Sequence, residues 1–213
     1  MLLFFGATAF APDFAIGILL MALMPAGVAV ASLCSMSGAS VVIGLSLTIM
    51  SSLLAPAFIP SVFSFLGQLI TVDVLGLFFT LIYVVFVPIC VYFILFAKRP
   101  KAEKLIREYN KSASIIVLSF ILVIVIATQK NEFLSNPELI LRGTLVMTIL
   151  IGCFYIFGIV YSFFVPKDHR VSYIFGSGAM NNSLAVGLAF AYFDATTTLF
   201  IVLSEIVWRV YVA

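Results

Sequence analysis

An all-α, polytopic membrane bundle is the fold class this sequence predicts, and three observations predict it. Of its 213 residues, 64% are hydrophobic and only 9% charged, where soluble domains carry about a quarter charged; the mean hydropathy is +1.27. Residues 14–72 contain no charge, and since a helix needs roughly 20 apolar residues to cross a bilayer, that stretch holds more than one crossing. The basic residues sit beside apolar segments, where membrane topology places them and nucleic-acid binding does not. The bilayer is therefore the first partner, and no nucleic acid is expected.

Taken in order, residues 1–10 are apolar, and Pro12 and Asp13 interrupt before a half-length helix over 14–24. Pro25, Ala26 and Gly27 stop it, and a second short piece follows over 28–36. Proline and glycine in the middle of an apolar stretch break the hydrogen-bond ladder, so this reads as one discontinuous helix. The next span, 39–54, carries Ser40, Ser46, Thr48, Ser51 and Ser52 and is expected to end near Pro56 and Pro60. Hydroxyls in such a span bond back to their own helix or pack on a neighbour. Residues 74–97 form a span bent at Pro88, and 112–128 form another. Residues 143–166 follow, then a second broken element over 173–193, and a last helix over 196–213.

Loop charge orients these pieces. Residues 98–111 carry six basic and two acidic side chains, and 167–170 read Lys-Asp-His-Arg, whereas 129–142 are balanced. By the positive-inside rule the first two loops are cytoplasmic. About seven crossings result, the first two pieces counted as one, with the C-terminus cytoplasmic and the plasma (inner) membrane as the expected location. No basic n-region or cleavage site marks the start as a cleaved signal peptide. Cys34, Cys90 and Cys153 lack metal-ligand spacing and read as small buried core residues. His169 reads as a solvated loop residue.

Residues 173–193, YIFGSGAMNNSLAVGLAFAYF, carry the strongest functional signal. Gly176, Ser177, Gly178, Asn181, Asn182 and Ser183 would not be chosen by a helix that only had to sit in lipid. Each asparagine amide costs several kcal/mol in hydrocarbon unless partnered, and polar, glycine-interrupted backbone at membrane depth marks binding sites in transporters. The candidate substrate residues are Gly27, Ser177, Asn181, Asn182 and Ser183. For Asn181 and Asn182 the alternative is a structural one, hydrogen bonds that tie the crossing together. Glu205 and Arg209, four apart on the last helix, share a face and are expected to pair, and Glu205 is also a candidate carrier for a coupling proton. Asp13, Asp73 and Asp194 read as interfacial. The charge of Asp194, at the C-terminal end of the second broken helix, is not stabilised there by the dipole. No HExxH, GxSxG or paired aspartate pattern indicates an enzyme, and no cofactor is implied.

Two segments resemble the bile acid:sodium symporter family. Residues 16–60 are similar to its fourth and fifth helices, with a Pro-Gly-like break and a Ser/Thr-rich helix ending in Ala-Pro; GSGAMNNSLAVGLAFAYF is similar to its broken ninth helix. The resemblance implies two inverted repeats of five helices, with sites where the broken helices cross. Residues 1–66 would then be a remnant of the first repeat and 67–213 the complete second one, about three helices being absent upstream. A fragment, a missed upstream start or a reduced homologue would each account for that. It further implies sodium ligands, which fall on Val30, Ala31, Gly44, Gly176 and Met180; among the family positions Thr48 and Asn181 keep a side-chain oxygen. An ion site would thus draw on Thr48, Asn181 and Glu205, with Na+ or H+ as coupling ion. The expected function is secondary transport of a small organic anion or amphipath by alternating access, the anion held by free amides at half-helix N-termini. The alternative is a truncated, non-transporting homologue with a structural or interaction role. A homo-oligomer is compatible with either.

Overall fold

Because hydrocarbon offers the backbone no partner, the chain folds almost entirely into helices. The computed structural model describes residues 2–67, 70–95, 99, 135–212 and scattered positions within 109–130. In chain order the described helices are α1 (Leu2–Phe10), α2 (Ala15–Leu23), α3 (Ala29–Met36), α4 (Val41–Phe65), α5 (Val74–Leu95), α6 (Pro137–Ser162), α7 (Arg170–Gly178), α8 (Asn182–Tyr192) and α9 (Ala195–Val212), with short 3-10 turns at Pro12–Phe14 and Lys167–His169. Four of them, α4, α5, α6 and α9, are long and apolar enough to cross a membrane. The pairs α2/α3 and α7/α8 are the two discontinuous helices. Within the span expected over 112–128 the described positions, among them Ile116, Val117, Phe120 and Val123, are helical, whereas the basic loop 98–111 lies largely outside the described residues.

Several boundaries differ from the sequence expectation. Helix α4 does not stop near Pro56 and Pro60 but runs through both to Phe65. A membrane helix tolerates the lost amides because neighbours and local adjustments satisfy the freed carbonyls, and both prolines are buried. Helix α6 begins at Pro137, so Glu138 and Arg142 belong to its first turns rather than to a loop. Proline suits that first position, its missing N–H being one that a helix start leaves unpaired anyway. Asp73 accepts from the Gly76 amide at 2.9 Å and caps α5. Asp194 accepts from the Thr197 amide at 2.7 Å. The dipole that stabilises Asp194 is thus the start of α9, not the end of α8.

The core forms where α2 and α9 lie at the centre. Phe14 stacks on Phe200 at 4.9 Å, and Leu19, Leu20, Met21, Ile201 and Val202 are buried around them. Helices α5 and α4 bury little of their length and turn apolar faces outward, the pattern of lipid-facing spans. For the same reason Cys90 and Cys153 are exposed and only Cys34 is buried. In a membrane protein an apolar sequence context does not distinguish core from lipid. His169 is half-buried, with Nδ1 shielded and unpaired, rather than solvated.

Candidate functional site

The two breaks meet. Residues 24–28 and 179–181 cross as short extended segments joined by an antiparallel bridge between Ala26 and Met180. The Gly27 amide donates to the Ala179 carbonyl at 2.7 Å, and the Asn181 amide donates to the Pro25 carbonyl at 2.9 Å. Each break therefore satisfies backbone groups that the other sets free. Glycine at position 27 is a matter of approach distance: a methyl there would lie 2.7 Å from the Met180 carbonyl oxygen.

Helix α4 supports the first break with its hydroxyls. The Ala26 amide donates to Ser51 Oγ at 3.0 Å, and Thr48 donates to the Gly27 carbonyl at 3.1 Å. Ser172 of α7 donates to the Ser40 carbonyl at 3.0 Å and ties the second broken helix to the start of α4. The second break supports itself. Asn181 Oδ1 accepts from the Leu184 amide at 3.1 Å and caps α8, while Asn182 Nδ2 donates to the Ser204 carbonyl of α9 at 3.5 Å. Asn182 is buried, and its Oδ1 has no partner.

The candidate residues do not converge on one point. Gly27, Thr48 and Asn181 are together at the crossing. Asn182 points to α9. Ser177 bonds back to the Tyr173 carbonyl at 2.9 Å and packs against Gly158 of α6, and Ser183 is exposed. Glu205 is buried on α9 while Arg209 is exposed; the two make no close ion pair but interact through charge, and among the described residues the ion pair is Arg142 with Asp13, at 3.6 Å. That pair lines a polar surface hollow of about 550 Å³ with Glu138 and Asp194.

Beside the crossing lies a cavity of about 430 Å³, walled by α4, α5 and the start of α8. Its polar lining is Thr48, Ser52 and Asn181; Val84, Val85, Phe86 and Ile89 of α5 supply an apolar wall. The size and the few polar groups on an apolar surface are those of small-molecule sites. Ser52 and the α5 wall were not singled out in the sequence: a contact between helices 30 residues apart has no local signature.

Three of the positions where the family resemblance places sodium ligands, Val30, Gly44 and Gly176, are tightly packed. A methyl on Gly44 would lie 2.9 Å from Cys34 Sγ and 3.3 Å from Val30 Cγ1, and Val30 is fully buried. The side-chain oxygens left are those of Thr48 and Asn181, already bonded to backbone. A hard cation takes about six oxygens, backbone carbonyls included, and at these positions side chains would supply only those of Thr48 and Asn181.

Four helices long and apolar enough to cross a membrane, with two crossed, broken helices among them, define the chain as an integral membrane protein. It belongs to the sodium bile acid symporter family, whose model matches residues 1–136. No curated protein matches the chain closely enough to count as a relative.

Proposed function

We propose that the chain is a secondary transporter of a small organic anion or amphipath, working by alternating access. The observation that carries this reading is the cavity at the crossing, where Thr48 and Asn181 join an apolar wall. Both residues also hold backbone of the breaks, so a ligand that engages them acts on the joint between the two broken helices. The start of α8 reaches the cavity through Asn181 and Leu184, bringing the positive end of a helix dipole toward an anionic group. A broken helix followed by a long one occurs twice, as α2/α3 then α4 and as α7/α8 then α9. This supports a division into a partial repeat over 1–66 and a second one over 67–213. The basic stretches at 98–111 and 167–170 favour a cytoplasmic C-terminus.

The test is a thermal-shift screen of the purified protein in nanodiscs against a bile salt and short organic carboxylates, followed by proteoliposome uptake of any that respond. At least one anion is expected to raise the melting temperature, and Asn181→Ala and Thr48→Val are each expected to remove that response. Replacing Na+ by K+ is expected to leave uptake within about twofold, side-chain oxygens for a hard cation being few there. A stabilising anion that is bound equally well by both variants places the site elsewhere and sinks the reading. A complete lack of response favours the non-transporting alternative.

A further inference from the structure

Glu205 is 7% exposed and lies near the middle of α9, about 15 Å along the axis from Ala195 at 1.5 Å per residue. A carboxylate at that depth requires a partner, and such residues mark ion or proton pathways. Arg209, one turn on, is exposed and makes no ion pair with it, although it is close enough for its charge to act on Glu205. The elements packed most closely against α9 are the turn Pro12–Phe14, α2, α6 and α8, and Trp208 also packs against the apolar cluster of Ala26, Val30, Cys34 and Ala179. The turn contributes Asp13, which is paired with Arg142 of α6. Helix α2 has no titratable group, and Tyr192 of α8 is bonded to Thr80. Helix α6 also carries Glu138 at its start and Cys153, Tyr155 and Tyr161 toward its end. Gly143 faces Leu203 and the Thr148 carbonyl meets the Tyr211 hydroxyl. Glu205 therefore falls level with Leu145, Val146 and Met147, where α6 offers no cation.

The second observation is independent. Asn182 is 6% exposed, and its amide nitrogen donates to the Ser204 carbonyl, which seats the carboxamide on the peptide next to Glu205. Its Oδ1 is buried with no hydrogen-bond partner. Trp208, three residues after Glu205, likewise buries Nε1 outside hydrogen-bond geometry, with the Tyr155 hydroxyl as its polar neighbour. An ionised carboxylate and an amide oxygen are both acceptors and repel each other, whereas a carboxylic acid has an O–H to donate. One proton on Glu205 removes the mid-span charge and supplies the donor that Asn182 lacks.

We propose that Glu205 is a proton-binding site whose occupancy is sensed by Asn182, the first residue of α8. The proton comes from water and returns to water; when bound, the acid donates to Asn182 Oδ1, and when it leaves, the hold on the start of α8 is lost. Proton binding itself is independent of the transport reading; its use as a coupling step rests on that reading.

Infrared difference spectroscopy of the full chain in lipid, between about pH 5 and about pH 9, tests this without any substrate. A protonated-carboxyl C=O band in the difference spectrum is expected, absent in Glu205→Gln and moved to higher frequency in Asn182→Leu, where its hydrogen-bond acceptor is gone. Asn182→Ala serves the same purpose should the leucine variant not fold. Glu205→Gln, which mimics the neutral acid and keeps a donor, is expected to melt with the wild type at low pH. No Glu205-dependent band in the difference spectrum overturns the site, and a band unchanged in both Asn182 variants overturns the link to α8. A failed anion screen would leave these spectra unaffected, so the two readings fail separately.

Discussion

The two breaks solve one problem by different means. The first, around Pro25 and Gly27, has no side chain able to satisfy backbone, and depends on Ser51 and Thr48 of α4. The second carries its own amides, so that Asn181 caps the helix it begins and Asn182 reaches α9. The first is therefore a passive joint that a neighbour shapes, and the second an active one that grips its surroundings. A ligand at Thr48 and Asn181 would touch both at once.

The contrast can be broken most severely at the point of closest approach. Gly27→Val drives a branched side chain into the Met180 carbonyl and should cost about 3 kcal/mol or more, as forced overpacking does, read as a large drop in melting temperature in nanodiscs. If α4 shapes the first break, Ser51→Ala leaves the Ala26 amide unpaired at a cost of about 2 kcal/mol. Hydrogen exchange should then rise over residues 24–28 more than over 179–182. If the second break supports itself, Asn181→Ala should cost about 1 kcal/mol, the ordinary loss of an N-cap, with exchange rising at the start of α8 instead. Equal exchange changes at both breaks in both variants would mean that they form a single cooperative unit and not two differently built joints. At the small end, Ser183→Ala should stay within about 0.5 kcal/mol, since the residue is exposed and outside the crossing.

Much of the molecule was legible from composition and punctuation. The spans follow from charge-free apolar runs, and both breaks follow from Pro25-Ala26-Gly27 and from the glycine and asparagine cluster at 176–182, because these residues act on their own backbone. The prolines of α4 misled: Pro56 and Pro60 look like a stop, but buried among neighbours they are carried inside one helix. Cys90 and Cys153 misled in the opposite way, their apolar context being lipid and not core. At the site, Asn181 was recognised as a polar residue out of place and Thr48 through the family resemblance, while Ser177 proved to pack on α6 and Ser183 to face outward. Periodicity around a break is too short to tell which way a side chain turns.

By itself the sequence determined that this chain lives in a membrane and where two of its helices are interrupted, since each is a local balance between apolar burial and backbone hydrogen bonding. Only the tertiary structure decided that the interruptions meet, that they satisfy each other's backbone through Gly27 and Asn181, that Val30 and Cys34 pack against Gly44 where a ligand was expected, and that Glu205 is buried while Asn182 reaches the Ser204 carbonyl just before it. These depend on which helix faces are pressed together. In lipid, where every surface is apolar, only close packing and hydrogen bonds between distant residues make that choice.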